Sequence, residues 1–420
     1  MKVSIAKSEV SGKLVAPSSK SYTIRGFISA AMAPGESQII NPLASADTEA
    51  AMSVLKAIGV KIREESGVWK VKGGNFHVPS SDLYCAESAT TFRFMTAISA
   101  LVPGACHLVP APGLAKRPIK PLLDALSQLG VRSSLDEDGS LTVLGGTLRG
   151  GRASLPGNIS SQFISALLLA TPLAPEGAEI EVTPPLESKP YVQMTIECLG
   201  KFGIKIDSSS DLLSFRVARQ RYQPARYQVE GDWSSASYLL ALGAVLGETE
   251  VLNLNPASLQ GDKVLLDFLD MMGADIKISK ECITVKKKKL KGIKANLKDS
   301  IDLLPTMGVL AAIAQGETEL SGIARARLKE SNRVSAVREG LVKMGIKVKE
   351  EKDRLLITGG KPRGALIDSR NDHRIAMSFA ILGGLAGDTV IAGAECVAKT
   401  FPEFWDVVTK AGMRLEINDR

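Results

Sequence analysis

The chain has 420 residues, 45% hydrophobic and 23% charged, a globular composition too long for one core, so two domains are expected. No uninterrupted apolar run reaches membrane-spanning length, and the opening Met-Lys-Val-Ser-Ile reads as a strand rather than a signal peptide, so a soluble cytoplasmic protein is expected. The excess of 52 basic over 45 acidic residues suits small anionic substrates or nucleic acid, while five scattered cysteines without a Cys-x-x-Cys pair, and three histidines, argue against structural zinc or a disulfide framework.

Leu14 and Val15 end a strand, and Pro17-Ser-Ser-Lys-Ser-Tyr-Thr-Ile-Arg25 follows. Ile24, Phe27, Ile28 and Ala31 then recur at helical spacing, which predicts a helix starting near Ser18 to Ser21. Its unpaired N–H groups and positive dipole end share space with the hydroxyls of Ser19 and Ser21 and with Lys20 and Arg25. Such a turn suits a phosphate or carboxylate.

The rest of the chain repeats one pattern. Each copy runs from a polar turn into an apolar helix, then a Gly-led strand, a loop, and an amphipathic helix closed by a glycine. The closing signature is Leu55 to Gly59, Leu126 to Gly130, Leu199 to Gly203, Leu269 to Gly273, Leu341 to Gly345 and Val408 to Gly412, with successive glycines 71, 73, 70, 72 and 67 residues apart. The interior strands open at Gly35, Gly104, Gly177, Gly247, Gly316 and Gly387, where glycine is expected to support the tight turn leaving the helix. Six units therefore read as β-α-β-α-β-β. Helices such as Phe163 to Ala170 and Val309 to Ala314 are apolar nearly all round and belong inside. The run Lys286 to Lys289, after the strand-like Cys282 to Val285, reads as a solvated hairpin edge.

If the helix N-termini face one mouth, the turns opening the units should carry the chemistry. They read Ser19-Lys20-Ser21, Glu87-Ser88-Ala89-Thr90-Thr91 with Arg93, Ser160-Ser161-Gln162, Asp232 to Ser235, Asp302 to Thr306, and Asn371-Asp372-His373-Arg374. Second loops add Lys116-Arg117-Pro118, Ser188-Lys189-Pro190-Tyr191, Gln260-Gly261-Asp262, Lys329-Glu330-Ser331-Asn332-Arg333 and Lys399-Thr400-Phe401-Pro402. With these motifs in this order, the chain resembles the 5-enolpyruvylshikimate-3-phosphate (EPSP) synthase family essentially end to end.

The resemblance implies an α/β protein of two similar domains, each of three βαβαββ units in an inside-out α/β barrel, with the active site in the inter-domain cleft. One domain would span residues 19–230, and the other residues 1–18 plus 231–420. The implied reaction joins shikimate 3-phosphate to phosphoenolpyruvate and releases phosphate. By likeness, Lys20, Ala89, Arg117, Gln162, Arg333, Arg374 and Lys399 surround phosphoenolpyruvate, since guanidinium forks suit carboxylate and phosphate. Lys20, Ser21, Arg25, Ser160, Ser161, Gln162, Ser188, Asp302 and Lys329 face shikimate 3-phosphate. Proton transfer needs one donor and one acceptor, and the candidates are Asp302, Glu330 and Lys20. No metal or organic cofactor is called for, and a monomer without nucleic-acid or membrane partners is expected.

The turn Ala86-Glu87-Ser88-Ala89-Thr90 departs from the family's Gly-Asn-(Ala or Ser)-Gly-Thr. The methyl of Ala89 should crowd the phosphoenolpyruvate pocket and weaken inhibition by glyphosate, and Glu87 alters the polar contacts there. One rival is the sister transferase acting on UDP-N-acetylglucosamine, whose reactive cysteine has no counterpart between Gly113 and Lys116. The other is an RNA-end cyclase-like or nucleic-acid-binding protein, disfavoured by the 5% aromatic content. Cationic loops from both halves also suggest closure on substrate.

Overall fold

The structure, a computed structural model, describes residues 1–279 and 281–418. The chain forms two compact units, one of Met1–Pro17 with the chain from Gly231 onward and the other of Ser18–Glu230. Each has its own continuous apolar core. Among the described residues, each unit carries three four-stranded sheets.

The second repeat shows how a copy is built. Leu83–Ala86 leads into a helix at Ala89–Ser99, and the chain returns as Ala105–Pro110, parallel to the first strand. After the helix Lys120–Gln128, the hairpin Arg132–Leu135 and Leu141–Leu144 adds two antiparallel strands, with Leu141–Leu144 innermost. Three sheets borrow a strand from a distant stretch. In the first, Arg226–Gln228 supplies the parallel partner of Gly35–Ile40. At the other end of the chain, Val10–Val15 pairs with Gly247–Leu252, and Lys2–Ile5 lies between Thr389–Ala392 and Leu415–Asn418.

The first helix of each repeat is the buried one: α1 (Lys20–Met32), α2 (Ala89–Ser99), α3 (Ser161–Ala170), α4 (Trp233–Leu246), α5 (Leu304–Ile313) and α6 (His373–Ala386). In α4 every residue is buried, as its nearly all-apolar sequence requires. Five of the six begin at a side-chain cap, from Ser19, Ser88, Ser160, Asp232 and Asp372, each accepting a backbone N–H in the first turn. The exception is α5, entered through a 3₁₀ turn at Ile301–Leu303. There the acid, Asp302, does not cap its helix.

The closing signature has one cause in all six repeats. The glycines 59, 130, 203, 273, 345 and 412 all have positive φ, between 79° and 109°. In each, the N–H after the glycine donates to the carbonyl of the residue opening the signature, at 2.9 to 3.1 Å, as in Ala274 to Leu269 and Met413 to Val408. This is the Schellman closure, in which a left-handed residue lets the chain satisfy the last helical carbonyls. The interior glycines divide. Gly35, Gly177, Gly316 and Gly387 have positive φ, whereas Gly104 does not and Gly247, at φ 169°, is extended. At Gly247 the need is space, because a Cβ would stand 2.0 Å from the Val10 carbonyl oxygen.

The lysines of the basic run are exposed, as expected, but the strand they follow is not at an edge. Cys282–Lys286 is an inner strand, flanked by Asp275–Ile278 and Gly247–Leu252, and the lysines continue beyond it. Among the described residues no helix is long and apolar enough to cross a membrane.

Candidate active site

In the unit of Ser18–Glu230, the α1 terminus holds Lys20 close to its own partner. The Lys20 Nζ lies 2.7 Å from Asp47 Oδ2, with only 15% and 9% of the two side chains exposed. Asp47 stands in the first turn of the helix Ala46–Ala57, whose entry is fixed by a capping box of Ser45 and Thr48. Sequence reasoning passed over this acid, although a carboxylate in a capped first turn is a readable signal.

Arg25, one turn into α1, is buried. Its Nε donates to Thr195 Oγ1 at 2.8 Å and its Nη groups to the Ser21 carbonyl, the Tyr191 carbonyl and Ser165 Oγ. The guanidinium also lies over the Phe94 ring, 5.2 Å from its centre. Burial pushes its pKa down, opposed by Cys198 and tyrosine side chains. Arg25 thus ties α1 to α3 and to the helix Lys189–Lys201.

A second knot forms at α2 and α3. Arg93 donates to Gln162 Oε1 at 2.7 Å, Ser160 Oγ at 3.2 Å and the Pro118 carbonyl at 2.9 Å, while Gln162 Nε2 donates to Thr90 Oγ1 at 2.9 Å. The structure therefore gathers Ser160 and Gln162 on an arginine the sequence placed in a turn without a role. Ser161 opens α3, and Ser188, in the left-handed region at φ 57°, precedes the helix Lys189–Lys201. Ala89 is the first residue of α2 and is buried. The Glu87 carboxylate stands over Gly113, where a Cβ would lie 2.9 Å from either oxygen. Arg117, half-buried, lines a cavity of 690 Å³ with Lys116, Lys120 and the acids Asp136 to Asp138.

The other unit holds the densest charge. Arg333 is wholly buried and touches three carboxylates: Asp302 Oδ1 at 2.6 Å, Asp372 Oδ2 at 2.8 Å, and Glu330. Asp302 also meets Lys329 Nζ at 3.3 Å through Oδ1 and Arg374 Nη2 at 3.3 Å through Oδ2. Arg374 donates to the Tyr238 hydroxyl, and Ser331 to Asp372. Three cations thus face three carboxylates, which lets so many buried charges persist. Lys399, the last expected member, reaches the Asn371 carbonyl at 2.7 Å, just before α6.

The network sets the protonation states. Burial works to raise the Asp302 pKa, but Arg374, Lys329 and Arg333 outweigh it and hold the carboxyl well below the usual range. Burial brings Lys329 down to about 8 against the pull of Asp302. Burial also works against Arg333, yet its carboxylates raise it. Asp262, beneath this cluster, goes the other way: burial and the charge of Asp302 lift it to about 7, against Arg374 and the Ser234 hydroxyl bonded to it. Sequence reasoning named its turn and gave it no role. Among the described residues no group of three or more His, Cys, Asp or Glu is placed to hold a metal ion.

Six capped or acid-bearing helix starts, followed by cations and hydroxyls, define a protein for small organic anions on a repeated βαβαββ frame. The fold matches two solved structures: EPSP synthase from Acinetobacter baumannii, at TM-score 0.83 and 27% identity over 100% of both chains, and the enolpyruvyl transferase NikO from Streptomyces tendae, at TM-score 0.80 and 17% identity over 99% of this chain and 98% of that one. Residues 5–408 match the family model for EPSP synthase (3-phosphoshikimate 1-carboxyvinyltransferase). Relatives named 3-phosphoshikimate 1-carboxyvinyltransferase include one from Dehalococcoides mccartyi, 49% identical over 98% of both chains, and one from Methanocaldococcus jannaschii, 41% identical over 97% of both. The chain belongs to the EPSP synthase family.

Proposed function

We propose that the protein transfers the enolpyruvyl group of phosphoenolpyruvate to the 5-hydroxyl of shikimate 3-phosphate and releases inorganic phosphate. Family membership over nearly the whole chain supports the reaction. The observation that carries the chemistry is the grouping of Asp302, Glu330 and Lys329 around one buried arginine.

The reaction adds the hydroxyl across the enol double bond and then eliminates phosphate. In the first half the hydroxyl loses a proton and the phosphoenolpyruvate methylene gains one; in the second, the new methyl loses a proton as the C–O bond to phosphate breaks. Asp302, beside the Lys329 ammonium at 3.3 Å, is the group proposed to accept the hydroxyl proton. Glu330 delivers a proton to the methylene carbon and takes one back, and its contact with Arg333 fixes its position. Lys20, held by Asp47, meets the departing phosphate, which carries away the proton that Asp302 took from the hydroxyl, so that both carboxyl groups return to their starting states.

Recognition follows the same chemistry. Arg117, Gln162, Arg333, Arg374 and Lys399 suit the phosphate and carboxylate of phosphoenolpyruvate, and Ala89, the first residue of α2, is the residue proposed to crowd that ligand. Ser21, Ser160, Ser161, Gln162 and Ser188, at or just before helix starts, suit shikimate 3-phosphate, with Lys329 and Asp302 toward its hydroxyls. Arg25 serves this side by holding the Ser21 carbonyl. We take the enzyme to act as a cytoplasmic monomer on these two small anions.

The test is phosphate release from phosphoenolpyruvate with either shikimate 3-phosphate or UDP-N-acetylglucosamine as acceptor. Turnover with the first alone is expected. Turnover with the sugar nucleotide alone would overturn the proposal.

A further inference from the structure

The lysines beyond the inner strand Cys282–Lys286 do not simply trail into solvent. Lys287, Lys288 and Lys289 line a cavity of 570 Å³ in the unit of Met1–Pro17 and the chain from Gly231, and Lys7 and Lys361 line it as well. Its floor is apolar, with Ile313, Leu385 and Ala386 reaching it. All five lysines are exposed, and among the described residues no acidic one lines the cavity. Among the described residues no carboxylate lies within ion-pair distance of the five ammonium groups, in contrast to the neighbouring Lys286, which meets Glu248 at 3.0 Å.

The cavity sits where α4, α5 and α6 end, away from the starts that carry the charged cluster. Three helix C-termini contribute roughly half a negative charge each, so together about −1.5. Five ammonium groups exceed that by about 3.5 charges. Nor are the lysines needed as hydrogen-bond donors there, since backbone N–H groups already serve: Gly360 donates to the Ala312 carbonyl at 2.9 Å, Gly387 to Gly383 at 2.7 Å and Lys287 to Gly247 at 2.6 Å. A surplus of cations around an apolar floor, in a volume typical of small-molecule sites, has a definite complement.

We infer that this cavity is a second binding site, separate from the catalytic one, for a small organic polyanion with a flat apolar body, of the class of a nucleoside triphosphate. The phosphates would lie among Lys287, Lys288, Lys289, Lys7 and Lys361, and the base on Ile313, Leu385 and Ala386. The cavity lies at the far ends of α5, which follows the turn holding Asp302, and of α6, whose first turn carries Arg374, so occupancy bears on those starts without contact with either substrate.

Calorimetric titration of the full chain with ATP tests this. Saturable binding in the micromolar to submillimolar range is expected, weakening by about tenfold or more in Lys287→Glu/Lys288→Glu/Lys289→Glu and by a smaller factor in Lys7→Gln/Lys361→Gln. Inorganic tripolyphosphate should bind more weakly than ATP, because it lacks the apolar body. Enolpyruvyl transfer without added nucleotide should be unchanged in both variants, which also reports that they fold. The inference is overturned if ATP fails to saturate, if binding is indifferent to both sets of substitutions, if tripolyphosphate binds as tightly as ATP, or if the chain sediments with phosphatidylserine vesicles while ignoring ATP.

Discussion

Asp302 and Asp262 are buried aspartates in one unit with opposite electrostatic fates. Asp302 is held ionised by Arg374, Lys329 and Arg333, whereas Asp262 has no ion-pair partner among the described residues and is lifted to about 7. For Asp302→Asn, kcat is expected to fall by about 10²- to 10⁴-fold, the range of a lost general base, measured as phosphate release. For Asp262 the sign follows from linkage. Its folded pKa exceeds the unfolded value, so its contribution to stability is whole below about pH 4 and is lost as pH rises toward 7. Asp262→Asn should abolish that decline, leaving the variant more stable than the parent at pH 8 by at most about 4 kcal/mol in urea denaturation. A parent whose stability does not fall across this window would refute the assignment. Ala89→Gly should tighten glyphosate inhibition by on the order of 5- to 150-fold, the equivalent of removing about 1–3 kcal/mol of crowding, with comparable inhibition constants as the contrary result. The charged residues of these turns were legible in the sequence because their types match anion chemistry. Their pairing with Asp47, Arg93 and Tyr238 was not, since a contact made across dozens of residues leaves no mark on local spacing even where the partner itself can be read.

At the scale of the element, the repeat was visible because every copy ends in the same backbone closure. A left-handed residue four places after a helix carbonyl is a local demand, and local demands survive in one-dimensional text. Gly273 isolates this demand, having φ +79° and nothing within 4 Å of a built Cβ. Gly273→Ala should therefore cost about 1–2 kcal/mol in urea denaturation with activity retained, and Gly273→Asn less, since asparagine tolerates that region better. Equal stability of the alanine variant would show that the closure can reorganise. Gly247 makes the contrasting point: the same letter in the same register serves the approach of a neighbouring strand, a reason no single repeat could reveal. The inner position of Cys282–Lys286 has a different cause, since both its neighbours, Asp275–Ile278 and Gly247–Leu252, lie in its own repeat.

For the whole molecule, the two units differ in what they need. The segment of residues 18–230 contains every strand of its three sheets, including Arg226–Gln228. The segment from residue 231 lacks two, Lys2–Ile5 and Val10–Val15. Expressed alone, residues 18–230 should give a single cooperative urea transition. Residues 231–420 should not, until a peptide of residues 1–17 is added, when native-like near-ultraviolet dichroism should appear. A cooperative transition for 231–420 without the peptide would mean that its sheets close on three strands.

That borrowing of strands fixes an order of events on the ribosome. The first seventeen residues leave the exit tunnel before any partner exists, and Val10–Val15 must stay unpaired until Gly247–Leu252 has been made, roughly 12 to 50 seconds at 5–20 residues per second. Throughout that wait, the nascent middle segment can fold unhindered while the leading end remains an open edge, which makes it the stretch where a holding chaperone or a bulky fusion partner would be felt first.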